Sequence, residues 1–156
     1  MRKRRKRTNV NVPAKGRLKD MADQVWSLAV KNDWDHQCAV CGHRGDLNSH
    51  HLIPRGKTAT RYMLANGICL CRRCHQFCPD VSPHQNAAGF ILWLEEHHPD
   101  IAEQTFQECE SCVAFSGTTN ALFYCDILRE LREYIEPDDF RRIVGAKFSD
   151  YLDDSH

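Results

Sequence analysis

The sequence predicts an α+β fold: a small zinc-stapled core of two strands and a helix, flanked by helices and followed by an acidic α-helical C-terminal extension. Three observations point there. Two Cys-x-x-Cys pairs, Cys38/Cys41 and Cys71/Cys74, bracket strand-length runs separated by Gly and Pro turns. Apolar residues at helical spacing precede and follow that stretch. Charge also divides the chain: residues 1–94 hold 16 Lys+Arg against 6 Asp+Glu and residues 95–156 hold 5 against 15, so a net charge of zero conceals halves of +10 and −10.

At 156 residues and 42% hydrophobic content, one core with a helical appendage is affordable, but not two full domains. The expected organisation is a disordered basic tail over 1–16, a zinc-stapled domain with its neighbouring helices over 17–99, and the acidic helical extension over 100–156. No apolar stretch follows the N-terminal MRKRRKR and no run is long enough to cross a membrane. Nine cysteines, several at metal spacing in a chain read as carrying no export signal, are expected in a reducing compartment.

Taken in order, Arg2, Lys3, Arg4, Arg5, Lys6 and Arg7 form an unbroken basic run suited to phosphate contact, or to a solvated tail or import signal. From Arg17 to Lys31, Leu18, Met21, Ala22, Val25, Leu28 and Ala29 recur at helical spacing and predict an amphipathic helix with one buried stripe. Trp26 and Trp34 read as packing residues. After the first cysteine pair, Gly42 and Gly45 provide a turn, and Leu47 to Ile53 reads as a strand ended by Pro54. Neighbours on a strand point to opposite faces, so His50 and His51 cannot share one role unless the strand twists.

A loop from Gly56 to Gly67 leads to a second short strand over Ile68–Cys71 and a helix beginning at the second cysteine pair. Ser82-Pro83 is expected to restart helix, with Phe90, Ile91, Trp93 and Leu94 on its buried side and His97-His98-Pro99 ending it. Three helical patterns follow, over Ile101–Cys109, Ala121–Ile135 and Pro137–Leu152.

Two thiol pairs at this spacing can satisfy one tetrahedral zinc through Cys38, Cys41, Cys71 and Cys74, which closes the coordination sphere and makes that zinc structural. Of the remaining cysteines, Cys109 and Cys112 read as one face of a helix, and Cys69, Cys78 and Cys125 as buried thiols. The alternative is a second zinc held by Cys109 and Cys112 with Cys125 and a histidine or Cys78. His36, His43, His84, His97, His98 and His156 read as surface histidines.

The run His50-His51-Leu52-Ile53-Pro54-Arg55, with Asn66 five residues before Cys71-Arg72-Arg73-Cys74-His75, resembles the HNH endonuclease signature and its zinc-stapled ββα-metal fold. The resemblance spans residues 36 to 80. Ile-Pro-Arg-Gly, Ala-Thr-Arg-Tyr and Asn-Gly also resemble phage recombination nucleases that act on branched DNA.

This resemblance implies metal-dependent hydrolysis of phosphodiester bonds in duplex or branched DNA, in the cytoplasm of a bacterial or phage-infected cell. His51 matches the general base, and Asn66 the residue that orients the base or joins the metal shell. His50 and His75 match the ligands of a catalytic divalent ion, Mg²⁺, Mn²⁺ or another. Many such sites carry a carboxylate where His50 stands, so tolerance of Mn²⁺, Co²⁺, Ni²⁺ or Zn²⁺ is expected. Arg55, Lys57, Arg61, Arg72 and Arg73 lie near enough in sequence to line the phosphate track.

Two other readings compete: a non-catalytic zinc-stapled DNA-binding module, which would need none of His51, Asn66 and His75, and a protein-interaction adaptor, which would not need the basic run. The acidic helices either present a surface to a protein partner or a second subunit, or fold back and neutralise the basic half. If the basic run grips phosphate, deleting residues 2–7 should flatten the slope of log affinity against log salt by up to ~5 units, each neutralised duplex phosphate contributing ~0.9. An unchanged slope in a salt titration of DNA binding would make the tail a bystander.

Overall fold

The computed structural model describes residues 11–111 and 117–154. The run Arg2–Arg7, His156, Cys112 and the side chain of Cys109 lie outside the described residues, and with them the basic-tail and second-zinc expectations.

The fold is α+β, a two-stranded antiparallel sheet among helices. Helix α1 spans Lys15–Asp33 and buries Leu18, Met21, Ala22, Val25, Trp26, Ala29 and Val30, the stripe its apolar spacing dictates. Strand β1, Leu47–His51, pairs with β2, Gly67–Cys71, in the register Leu47↔Cys71, Ser49↔Cys69, His50↔Ile68 and His51↔Gly67.

β1 ends two residues before the expected Ile53 because a side chain takes over the ladder. Asn66 Oδ1 accepts from the Ile53 N–H at 2.6 Å and its Nδ2 donates to the Ile53 carbonyl at 3.1 Å. β2 runs straight into helix α2, Arg72–Gln76, whose first turn is capped by Cys71 Sγ accepting from the Cys74 N–H.

The sheet is covered on both sides. Val30 and Trp26 of α1 press on β2 at Gly67, where an added Cβ would meet Val30 Cγ2 at 2.3 Å. Ile68 and Leu70 join a second apolar cluster with Phe90 and Leu94 of α3, Ala87–His97. Helix α3 begins later than Ser82-Pro83 suggested, at an Asn86 cap whose Oδ1 accepts from the Gly89 N–H at 2.9 Å. Ser82 instead organises the turn ahead of it: its buried hydroxyl donates to the His75 carbonyl at 2.7 Å and accepts from the N–H groups of His84 and Gln85. Helix α4, Pro99–Ser111, opens on its proline and is tied to the loop ahead of β2 by Thr105 Oγ1, which donates to the Ala65 carbonyl at 2.8 Å.

The acidic segment folds back on the basic one. Helices α5, Ala121–Leu131, α6, Pro137–Val144, and α7, Ala146–Asp154, place Tyr124, Leu128, Leu131, Phe140, Val144, Phe148 and Leu152 in one core with the α1 stripe. The expected single helix over Pro137–Leu152 is two, because Gly145 at φ +86° turns the chain between them. The longest helix of the 17–99 segment, α1, is thus buried by helices of the 100–156 segment. The fold-back is apolar rather than a neutralisation. Among the described residues every salt bridge joins partners of the same half, as in Arg61–Asp23, Arg129–Asp126 and Arg141–Asp150.

No helix among the described residues is long and apolar enough to cross a membrane. Gly67→Ala should force Val30 aside and lower stability by ~1–3 kcal/mol, measured by chemical denaturation. Stability equal to wild type would mean that α1 is less firmly seated on β2 than this contact implies.

Candidate metal centres and the His51 site

Cys38 and Cys41 sit on a knuckle closed by two backbone hydrogen bonds, Cys38 N–H to the His43 carbonyl at 2.9 Å and Gly42 N–H to the Cys38 carbonyl at 2.8 Å. Gly42 supplies the left-handed backbone, φ +72°, that the turn needs. Cys71 ends β2 and Cys74 lies in α2, so the second pair is fixed by the strand-to-helix junction.

All four sulfurs lie within 4.8 Å of one another. Cys41 Sγ and Cys71 Sγ are 3.7 Å apart. Thiolates ~2.3 Å from one ion at tetrahedral angles stand ~3.8 Å apart, so the cluster has the dimensions of a zinc site and can hold that ion. Burial, and then the neighbouring sulfurs, push the Cys74 thiol far above its ordinary range. A cation at the centre would reverse that cost by stabilising the thiolates.

The second cluster forms where β1, α2 and the turn after α2 meet. His50 points away from α1, toward α2 and α3, with His50 Nδ1 3.1 Å from His75 Nε2 and the Phe90 ring packed edge-on at 5.8 Å. His84 joins them, its Nε2 3.2 Å from His75 Nε2, and the three ligand atoms lie within 4.8 Å of one another. Imidazole nitrogens ~2.0–2.1 Å from a tetrahedral ion stand ~3.3–3.4 Å apart, close to both spacings.

Burial, then the adjacent imidazoles of His75 and His84, push the His50 pKa down to about 4, and burial with His84 lowers that of His75. Both rings are thus neutral near pH 7, the form that binds a metal. His75 Nδ1 is buried without a hydrogen bond, so the ring is held by its His50 and His84 neighbours, centroids 5.0 and 4.6 Å away.

His84, read from sequence as a surface histidine, is therefore a third potential ligand. It is exposed, but the turn built on Ser82 delivers it to His75 nine residues back. No fixed spacing signals this; the available cue was the Ser82-Pro83 turn placing a histidine after α2.

His51 occupies the opposite face of β1. Its ring stacks on Trp26, centroids 3.8 Å apart and planes inclined by 13°. Nε2 lies 2.9 Å from the Arg61 carbonyl. A carbonyl can only accept, so Nε2 carries the proton and Nδ1 is the lone-pair nitrogen. Burial lowers the His51 pKa, opposed by the bond to Arg61 and reinforced by the nearby guanidinium groups. The ring is neutral at pH 7.

Asn66 is 1% exposed and its amide is fully used, on both backbone groups of Ile53 and on the Thr60 carbonyl at 3.0 Å. It clamps the loop between the strands beside the carbonyl that receives His51, and of the two roles the resemblance offered, this geometry fits orientation rather than metal ligation. Comparison with protein-family models, curated proteins and solved structures finds no match.

The basic residues divide. Arg55, Lys57, Arg72 and Arg73 are exposed, with the Arg72 guanidinium over the Phe77 ring at 5.8 Å. Arg61 is turned inward onto Asp23, its side chain 13% exposed. Trp26, 3% exposed, is packed on His51 and unavailable to a base.

Cys71→Ser should abolish zinc binding at the sulfur cluster and melt the strand–helix junction, because ligation supplies folding free energy there. His84→Ala should keep that zinc and weaken only the second metal. Metal stoichiometry by mass spectrometry of native protein separates them; a His84→Ala protein with unaltered affinity at both sites would remove His84 from the cluster.

Proposed function

We propose that the chain is a metal-dependent endonuclease of the HNH class, hydrolysing phosphodiester bonds in duplex or branched DNA. The observation that carries this reading is the pair of adjacent histidines on β1 directed to two different tasks. His50 enters a three-histidine cluster of metal-site dimensions, while His51 is held neutral with one nitrogen tied to a carbonyl and the other carrying a lone pair.

Hydrolysis needs a base for water, compensation for charge on the phosphate, and a grip on the backbone. His51 Nδ1 takes the proton from water as the water oxygen attacks phosphorus; the bond from phosphorus to the leaving oxygen breaks, and that oxygen takes a proton from solvent. The His51 Nε2–H remains on the Arg61 carbonyl, so the developing imidazolium stays oriented. His50, His75 and His84 would hold the divalent ion, which when bound supplies positive charge to the phosphate and to the leaving oxygen. An all-imidazole set is softer than a carboxylate site, favouring Mn²⁺, Co²⁺, Ni²⁺ or Zn²⁺ over Mg²⁺. Arg55, Lys57, Arg72 and Arg73 are exposed and free to pair with phosphates.

The test is incubation of purified protein with linear, nicked, single-stranded and four-way-junction DNA across these metals. His51→Ala should keep zinc stoichiometry and DNA affinity while losing most of the ~10²–10⁴-fold that a positioned base contributes. A His51→Ala protein that cuts as well as wild type would sink the mechanism. DNA binding without cleavage of any substrate would favour the zinc-stapled binding module.

A further inference from the structure

The segment from Cys38 to His75 holds the His51 ring by one direct contact, the Arg61 carbonyl on Nε2, and does not by itself explain why the ring stands where it does. Its two holding contacts are made by, or depend on, residues of α1. The first is the Trp26 face, stacked at 3.8 Å, on an indole itself fixed by Nε1 donating to the Met63 carbonyl at 3.0 Å.

The second is indirect. The Arg61 carbonyl that accepts from His51 belongs to a residue whose guanidinium is clamped on Asp23: Nε to Oδ1 at 3.0 Å, and Nη2 to Oδ1 and Oδ2 at 2.9 and 2.8 Å. Tyr62 OH donates to the same carboxylate at 2.9 Å, and Arg61 Nη1 donates to the Arg55 carbonyl at 2.8 Å. A forked arginine–carboxylate pair fixes orientation as well as distance. Asp23 and Trp26 are three residues apart and so share one face of α1, which lies against the loop joining β1 to β2. An arginine engaged in this way is not free to grip a phosphate.

We propose that Asp23 and Trp26 are positioning residues for His51, Asp23 acting through the Arg61 carbonyl and Trp26 by stacking, so that α1 completes a site whose reacting groups lie elsewhere in the chain. The proposal rests on the reading of His51 as the base. Neither α1 residue touches the reacting atoms. Both restrict how the imidazole turns, and the carbonyl dictates which nitrogen carries its proton.

The experiment combines DNA cleavage kinetics with nitrogen-15 spectra of the histidine rings in the full chain, the His51 signals being those absent from His51→Ala. In wild type, His51 should show a single tautomer protonated on Nε2, with ring protons shifted upfield by the stacked indole. Asp23→Asn should lower kcat ~10–100-fold, the usual scale for removing a group that orients an active residue, with KM unchanged, and spread His51 over both tautomers. Trp26→Leu should remove the upfield shift and lower kcat in the same sense.

In a His51→Ala background neither change should cost anything further. If Asp23→Asn does not fold, Arg61→Lys, which keeps the charge and loses the fork, carries the same expectation. Equal losses with and without His51, or an unaltered Nε2–H tautomer in a folded Asp23→Asn or Arg61→Lys protein, would overturn the proposal. If wild type cuts no DNA with any metal, the endonuclease reading fails, and the tautomer and ring shift still decide whether α1 positions His51.

Discussion

Ten residues of antiparallel pairing, β1 with β2, hold His50 and His51, and the turn out of β2 holds His75. A lone two-stranded sheet is marginal in water, so everything else in the fold serves to keep this one in place. The sulfur cluster brings the knuckle ahead of β1 against the junction of β2 and α2, where a zinc ion could pin that end. The Asn66 amide closes the other end, substituting for the ladder where β1 leaves the sheet. Helix α1 covers one face through Gly67, and Phe90 and Leu94 of α3 cover the other.

Period-two alternation then divides the chemistry. The face toward α3 is crowded with imidazoles, and burial keeps those of His50 and His75 unprotonated, the condition for holding a cation. The face toward α1 holds a single imidazole among aromatic and hydrogen-bonding contacts that leave one nitrogen available. Two adjacent residues thus experience unlike surroundings without a loop or a second domain to separate them.

What could be read from sequence was what is local. Cys-x-x-Cys spacing encodes a knuckle, because four residues suffice to bring two sulfurs to one point. His50 and His51 had to diverge, because they are neighbours on a strand. The α1 stripe was visible from its spacing, but a stripe says that a helix must be covered and not by what; its cover comes from Tyr124 to Leu152. The place of His84 is not legible in the sequence because it depends on the Ser82 hydroxyl reaching the His75 carbonyl, a contact with no pattern in the chain. Arg61 looked like a phosphate ligand for the same reason: charge is legible, and Asp23 is 38 positions away. Gly145 was in plain view, but an apolar rhythm that continues across it hid the break between α6 and α7.

The sharing of one core between α1 and α5–α7 has a temporal side. A chain emerges from the ribosome N-terminus first, and contacts between distant segments must wait for the later one. The cysteines of the sulfur cluster and both strands are out once residue 76 has been made, but α1 keeps an uncovered apolar stripe until Leu152 has been made. The helix that carries Trp26 and Asp23 to His51 is synthesised first and secured last. A nascent chain short of Leu152 carries the histidines without a settled helix to hold one of them, so the full geometry waits for α7.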